Sequence, residues 1–269
     1  MNKSKAQNLH RIDYWRVVPA SVQGTSHEKR GQPCQDAYDW ARLPKGILVA
    51  AVADGAGSAA LSEVGSAVAT QTAVATLGNN TATLQLQKDD RAWQSLLSEA
   101  LAAAQQAIAA EAVARDVELR DLATTLIIVV AAPGLVAAAQ VGDGAAVVRD
   151  NEGNLNGLTT PETGEYANET VFLLSPEAVE GAQIKVWRGE VSHLAIFSDG
   201  LQRLALKLPE GTPHPPFFSP LFQFVAEATD EESAKVELME FLRHPRITER
   251  TDDDLTILLA TLNPKMADD

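Results

Sequence analysis

Three aspartate–glycine pairs constrain this chain more than any other feature. They are Asp54-Gly55, Asp143-Gly144 and Asp199-Gly200, the only such pairs among its 269 residues, and each one closes an apolar run. The runs read ILVAAVA before Asp54, LVAAAQVG before Asp143 and LAIFS before Asp199. The first, residues 47–53, is apolar at every position, which predicts a strand buried on both faces. Asp54 then stands where that strand meets solvent, and Gly55 and Gly57 let backbone come close to whatever the carboxylate holds. A fourth run has the reverse polarity: Asp252, Asp253 and Asp254 come immediately before LTILLATL. In an antiparallel sheet the ends of some strands and the starts of their neighbours share one edge, so four carboxylate sites are expected on one rim.

Hairpin arithmetic supports that rim. Pro44-Lys45-Gly46 is turn chemistry. Asp36 and Asp54 each lie nine residues from Lys45, so a hairpin there brings both carboxylates to one end. Pro133-Gly134 divides TTLIIVVAA from LVAAAQVGD in the same way and makes Thr124 and Asp143 equidistant from the turn. Around these hairpins the pattern predicts an edge strand at 14–22, which holds Pro19, then a polar loop at 24–35. Helices are expected at 59–77, 90–115, 220–228 and 230–244, with further strands at 147–150, 182–186, 193–198 and 255–262. Residues 205–220 carry five prolines and read as an inserted loop or lid. No repeat or long linker divides the chain. One domain over 11–263 is expected, with flexible tails at 1–10 and 264–269.

The net charge of −14 argues against a nucleic-acid or anionic-membrane surface, which needs clustered Lys and Arg. Cys34 is the only cysteine, so no intrachain disulfide forms and nothing points to an oxidising compartment. The first fifteen residues lack the apolar core of a signal peptide, and the most apolar helical stretch, 92–114, is interrupted by Glu99, Gln105, Gln106 and Glu111. A cytoplasmic protein is expected.

Carboxylates at strand ends beside glycine turns suit hard, oxygen-seeking cations. Mg²⁺ and Mn²⁺ take carboxylates, carbonyls and water, and two such ions together polarise a phosphoryl group. Turn chemistry explains any single Asp-Gly pair equally well; three from three at the ends of apolar runs favour a metal site. A calcium loop of the helix–loop–helix kind needs alternating acids ending in Glu, and none exists here. His27 lies in the loop before Asp36, close enough to approach the rim, although a lone loop histidine is more often solvated. Cys34 has no evident base partner and reads as a packed thiol. Ser198 does not sit in a G-x-S-x-G turn.

The ordered set GTSHEKRGQPCQDA (24–37), VADGAGSA (52–59), ATTLIIVV (123–130), QVGDGAAV (140–147), FSDGL (197–201) and TDDDLTILL (251–259) resembles the metal-dependent protein phosphatases of the 2C type, in a bacterial form. The resemblance implies an α+β fold: a central antiparallel β-sandwich flanked by helix pairs, four layers in the order αββα, with a two-metal centre at one end. It implies Mn²⁺ or Mg²⁺ as cofactor, two ions with a third, weaker one. Asp54 would bridge both, the carbonyl of Gly55 would bind one, Asp199 and Asp253 would complete their shells, Asp143 would match the acid at the third ion, and Asp36 would hold metal-bound water. The implied reaction is attack of a metal-activated water on a phosphomonoester of Ser or Thr, with no covalent intermediate. The implied partner is a phosphorylated protein, the product of a bacterial Ser/Thr kinase.

Several positions depart from the family pattern. The arginine that grips substrate phosphate falls by spacing on Gly31, leaving Arg30, Lys29 or His27 to substitute. Gln35 stands where an acid is usual, Ala56 where some members carry a histidine proposed as general acid, Gly144 where a serine is usual, and Asp254 where Asn is expected. With three successive aspartates the register of the last ligand is open among Asp252, Asp253 and Asp254. Two other readings also remain open. One is a catalytically dead homologue that binds phosphoproteins. The other is a hydrolase of small phosphoesters, favoured if 205–220 caps the site.

Overall fold

The computed structural model describes residues 13–80, 89–161 and 170–264. The expected tails, but for Pro264, lie outside them. In chain order the elements are β1 (Asp13–Val22), α1 (Thr25–Arg30), β2 (Ala37–Leu43), β3 (Ile47–Ala53), α2 (Ser62–Asn79), α3 (Asp90–Arg115), β4 (Leu126–Ala132), β5 (Leu135–Val141), β6 (Ala145–Asp150) and β7 (Leu155–Gly157). After these come β8 (Gln183–Arg188), β9 (Val191–Phe197), α4 (Gln202–Ala205), β10 (Leu206–Lys207), β11 (Thr212–Pro213), α5 (Pro215–Glu227), α6 (Glu231–Leu242), α7 (Pro245–Thr248) and β12 (Leu255–Pro264).

The long strands form two five-stranded antiparallel sheets, ordered β2-β3-β4-β5-β8 and β1-β12-β9-β6-β7. β3 shows why its run has no polar position. Ile47, Val49, Ala51 and Ala53 face α2 and α3, while Leu48, Ala50 and Val52 face the second sheet. β4 divides the same way, with Leu126, Ile128 and Val130 on the helix side and Ile127, Val129 and Ala131 between the sheets. The second sheet packs its outer face on α5 and α6 through Val18, Phe197, Ile257 and Leu259. Each buried Val, Leu, Ile or Phe among these contributes roughly 1.5–3 kcal/mol relative to exposure, and each alanine less. Four layers follow, in the order αββα.

The hairpin registers match the arithmetic. Ala37 pairs Ala53 and Leu43 pairs Ile47, so Asp36 and Asp54 come next at the same end. Leu126 pairs Val141, which sets Thr124 against Asp143. β1 is an edge strand, as Pro19 requires.

Two local readings are corrected. Residues 24–35, expected as loop, contain the short helix α1, ended by Gly31 at φ 65°; a polar segment of one to two turns carries no apolar period from which a helix is read. The proline-rich stretch is not all loop: α5 starts at Pro215, with two prolines in its first turn. Proline belongs there because the N–H it lacks would have no partner inside the helix.

Candidate metal centre

Asp54 follows β3, Asp143 lies in the β5–β6 turn, Asp199 follows β9 and Asp253 precedes β12. All four line one cavity of about 200 Å³, together with Ser26, His27 and Arg30 of α1, Gly55, Ala56, Gly57, Thr170 and Phe172. Asp54, Asp143 and Asp199 each offer an oxygen within 4.8 Å of the others. None of residues 205–220 lines this cavity, so that stretch is not its lid.

The glycines of the three pairs are there for space, not for turn geometry. None of Gly55, Gly144 and Gly200 has a positive φ. A Cβ on Gly200 would stand 2.1 Å from the Asp254 carbonyl oxygen, one on Gly55 2.7 Å from that of Gln35, and one on Gly144 2.6 Å from that of Phe197. Each pair therefore marks a place where two backbones touch and an aspartate is delivered beside the contact. Thr124 and Thr125 hold Asp54 from the neighbouring strand. The Asp54 N–H donates to Thr125 Oγ1 at 2.9 Å, and the Asp54 carbonyl accepts from Thr125 N at 2.8 Å and from Thr124 Oγ1 at 2.9 Å.

Asp36 is buried behind this group. Ser198 Oγ donates to its Oδ2 at 2.6 Å, while Oδ1 is buried without a partner. Burial first, then the charges of Asp36 and Asp199, pushes the Asp54 carboxyl well above the usual carboxylate range. Burial and the Asp143 charge push Asp199 up to about 6. Burial raises Asp36 to about 7, with Asp254 reinforcing and the Ser198 hydroxyl opposing. Asp143 is raised by burial and eased by Thr170, whose Oγ1 donates to its Oδ2 at 2.7 Å. Gln202 Nε2 donates to the Asp143 carbonyl. Oxygen donors in this number, mutually repelling, with buried unpartnered oxygens on Asp36 and Asp199, fit hard divalent cations, whose charge would reverse every one of these shifts.

The three successive aspartates take different positions. Asp252 is exposed, Asp253 lines the cavity, and Asp254 is buried. Asp254 Oδ1 accepts from Gly24 N and Oδ2 from Gln35 N, each at 2.6 Å, fastening both ends of the segment that carries α1. His27 is 3% exposed rather than solvated. Its Nδ1 lies 2.9 Å from Asp254 Oδ2, a close approach without hydrogen-bond alignment. Arg30 is the only Lys or Arg lining the cavity among the described residues, and it folds back on Ser26, with Nε donating to the Ser26 carbonyl at 3.1 Å. Cys34 lies against Ser21 Oγ at 3.2 Å, and burial with the Asp36 charge pushes its thiol up to about 12, so it is a packed thiol.

Sequence reasoning missed Ser198 and Asp254 as supports, and Thr170 and Phe172 as cavity residues. The last two lie in a stretch with no periodic pattern. Ser198 was detectable only as the residue before an Asp-Gly pair.

An αββα sandwich with acidic residues gathered at the ends of both sheets is a scaffold suited to divalent cations. The sequence profile of the protein phosphatase 2C family matches residues 23–243, and the chain belongs to that family. It is 37% identical over 252 residues to serine/threonine-protein phosphatase 3 of Escherichia coli (strain K12), covering 91% of this chain and 98% of that one. Among solved structures it resembles the serine/threonine phosphatase Stp1 from Staphylococcus aureus, with TM-score 0.62 and 15% identity over 97% of this chain and 100% of the other. The catalytic domain of serine threonine protein phosphatase PstP, solved in complex with two manganese ions, gives TM-score 0.59 and 19% identity over 92% of this chain and 98% of that one. At these identities the solved structures show the fold.

Proposed function

We propose that the chain is a Mn²⁺- or Mg²⁺-dependent protein serine/threonine phosphatase, with one catalytic unit over residues 11–263. We place its action in the cytoplasm, on a phosphoprotein made by a bacterial serine/threonine kinase. The observation that carries the reading is the convergence of Asp54, Asp143, Asp199 and Asp253 on one cavity in a chain of this family. Among the described residues no helix is long and apolar enough to cross a membrane. In this reading Asp54, the Gly55 carbonyl, Asp199 and Asp253 hold two cations, and Asp143 holds a third more weakly. The bound cations supply positive charge that polarises the phosphoryl group and acidifies water.

Asp36, buried behind Asp54 with its Oδ1 unpartnered, would hold and orient the attacking water. Arg30 and His27 line the cavity from α1 and hold the phosphate oxygens in place of the arginine missing at Gly31. Arg30 must swing off Ser26 to do so, and exposed side chains change rotamer readily. The test is release of phosphate from an aryl phosphate and from a phosphothreonine peptide, with Mn²⁺ against excess chelator. Mn²⁺-dependent turnover of both, lost in Asp199→Asn, is the expected result. Turnover of the aryl phosphate alone would redirect the reading to small phosphoesters, and turnover insensitive to chelator would end it.

A further inference from the structure

We infer that Gln140, helped by Gln202, positions Asp143, so that a buried glutamine sets how tightly the third cation is held. The inference rests on the phosphatase reading above and concerns two side chains that do not line the acidic cavity. Gln140 is the one polar residue of β5, whose sequence is LVAAAQV. Alternate residues of a strand share a face, and Val136 and Ala138 pack between the two sheets. Gln140 shares that face and is fully buried. A buried amide is costly unless it is paired, and the partners of this one include the backbone carbonyls on either side of Asp143.

Residues 142–144 carry the chain from β5 in one sheet to β6 in the other and belong to neither ladder. Their carbonyls therefore need partners from elsewhere, and glutamine amides supply all three. Gln140 Nε2 donates to the Gly142 and Gly144 carbonyls, each at 2.9 Å, and Gln202 Nε2 donates to the Asp143 carbonyl between them. Gln140 Nε2 also donates to the Thr160 carbonyl at 3.0 Å, so one NH₂ group is shared among three acceptors. Gly142, at φ 108°, sits where a Cβ would stand 2.5 Å from Thr125 Cγ2. Thr125 in turn accepts from Asp54 N through its Oγ1.

The consequence falls on one ligand. With its three carbonyls engaged, the turn offers the cavity the Asp143 carboxylate, whose Oδ2 accepts from Thr170 Oγ1. Asp54 and Asp199 instead follow strands paired on both sides, β3 between β2 and β4 and β9 between β12 and β6. Asp253 adjoins Asp254, which Gly24 and Gln35 fasten. None of these three is placed by Gln140. Groups that orient a cation's ligands change its affinity by roughly 10–100-fold. Gln140 therefore acts on the cation that Asp143 holds and not on the pair held by Asp54, Asp199 and Asp253.

The experiment is calorimetric titration of Mn²⁺ into the chelator-treated parent and into Gln140→Met, Gln202→Met and Asp143→Asn, with near-UV circular dichroism to show that each is folded. Methionine keeps the length of glutamine and removes the amide. The parent is expected to bind Mn²⁺ in a tighter and a weaker class. Gln140→Met should weaken the weaker class at least tenfold while the tighter class stays within twofold. Added to Asp143→Asn, it should change Mn²⁺ binding no further. Gln202→Met, at a less buried position, should weaken the same class, and decides the matter if Gln140→Met does not fold; unchanged binding there would then overturn the inference. Equal loss from both classes, no loss from either, or a further loss on the Asp143→Asn background would show that Gln140 only holds the fold, and overturns it too. A parent with a single class of Mn²⁺ overturns the inference and leaves the two-cation reading standing. A parent that binds no Mn²⁺ overturns both.

Discussion

Ser198 Oγ lies 2.6 Å from Asp36 Oδ2 and donates its proton to that carboxylate, joining the residue before Asp199 to the residue before β2. The same hydroxyl oxygen accepts from Thr256 N at 3.1 Å. One buried side chain therefore links the two sheets beneath the acidic cavity. Removing it strands a carboxylate oxygen and a backbone N–H, and Ser198→Ala is expected to cost about 2 kcal/mol in urea denaturation. It also removes the larger of the two hydroxyl contacts, Ser198 and Thr256, that hold the Asp36 carboxyl down, so that carboxyl should rise further. A variant as stable and as active as the parent would show that this link has no energetic role.

Asp254 stands where the family pattern has Asn, and its geometry says why a carboxylate serves here. Both oxygens accept from backbone N–H groups, Gly24 at Oδ1 and Gln35 at Oδ2. An amide offers only one acceptor and would turn an NH₂ toward the other donor. Asp254→Asn is expected to cost about 2 kcal/mol and to weaken Mn²⁺ affinity by loosening Asp253 and α1 together. Denaturation and calorimetry on the same sample check both effects. An Asn variant indistinguishable from the parent would mean the segment is held elsewhere.

The glycines divide by available space. At Gly200 an added methyl meets the Asp254 carbonyl oxygen at 2.1 Å, whereas at Gly57 the nearest atom is Gln35 Oε1 at 3.9 Å. Gly200→Ala is expected to cost about 3 kcal/mol because backbone cannot yield cheaply. Gly57→Ala should stay within about 0.5 kcal/mol of the parent. Thermal denaturation of the pair checks this; equal effects would refute the close-approach account of the Asp-Gly pairs.

His193 of β9 packs its ring on Phe222 with centroids 4.9 Å apart. Burial, then the Arg149 charge, lowers its pKa from 6.5 to about 4. The unfolded chain thus takes up a proton at a higher pH than the folded one, so stability rises with pH across that window. The His193 contribution is fully present above about pH 6.5 and is lost as the pH falls toward 4. Denaturation of the parent and of His193→Gln at pH 7.5, 6, 5 and 4.5 should show the gap between them changing in the parent's disfavour as acid is added. A gap independent of pH would contradict the shift.

The central hairpins and the rim were legible in the residues themselves, while the division into two packed sheets came only with the family resemblance. The all-apolar run of β3 can only be a strand covered on both faces, and the symmetry of Lys45 between Asp36 and Asp54 fixes a register before any contact is known. Asp54, Asp143 and Asp199 are legible for the same reason, since each interrupts an apolar run at its end, whereas the three aspartates before β12 leave the register open and only the family resemblance singles out Asp253. The supports were illegible because their role is tertiary. Asp254 looks identical to Asp252 and Asp253 until Gly24 and Gln35, more than two hundred residues earlier in the chain, arrive beside it. The start of α5 was hidden by its own prolines, which read as breakers in a list of residues but are compatible with the first turn of a helix. α1 is too short to show a period.

The central claim is that strand-end carboxylates, Asp54 foremost, hold divalent cations in the cavity beneath α1. Calorimetric titration of Mn²⁺ into the chelator-treated protein and into Asp54→Asn, with near-UV circular dichroism to show that both are folded, tests it most directly. Saturable Mn²⁺ binding by the parent, reduced at least a hundredfold in a folded Asp54→Asn, is the predicted result. Equal Mn²⁺ affinity in the two proteins would contradict the account.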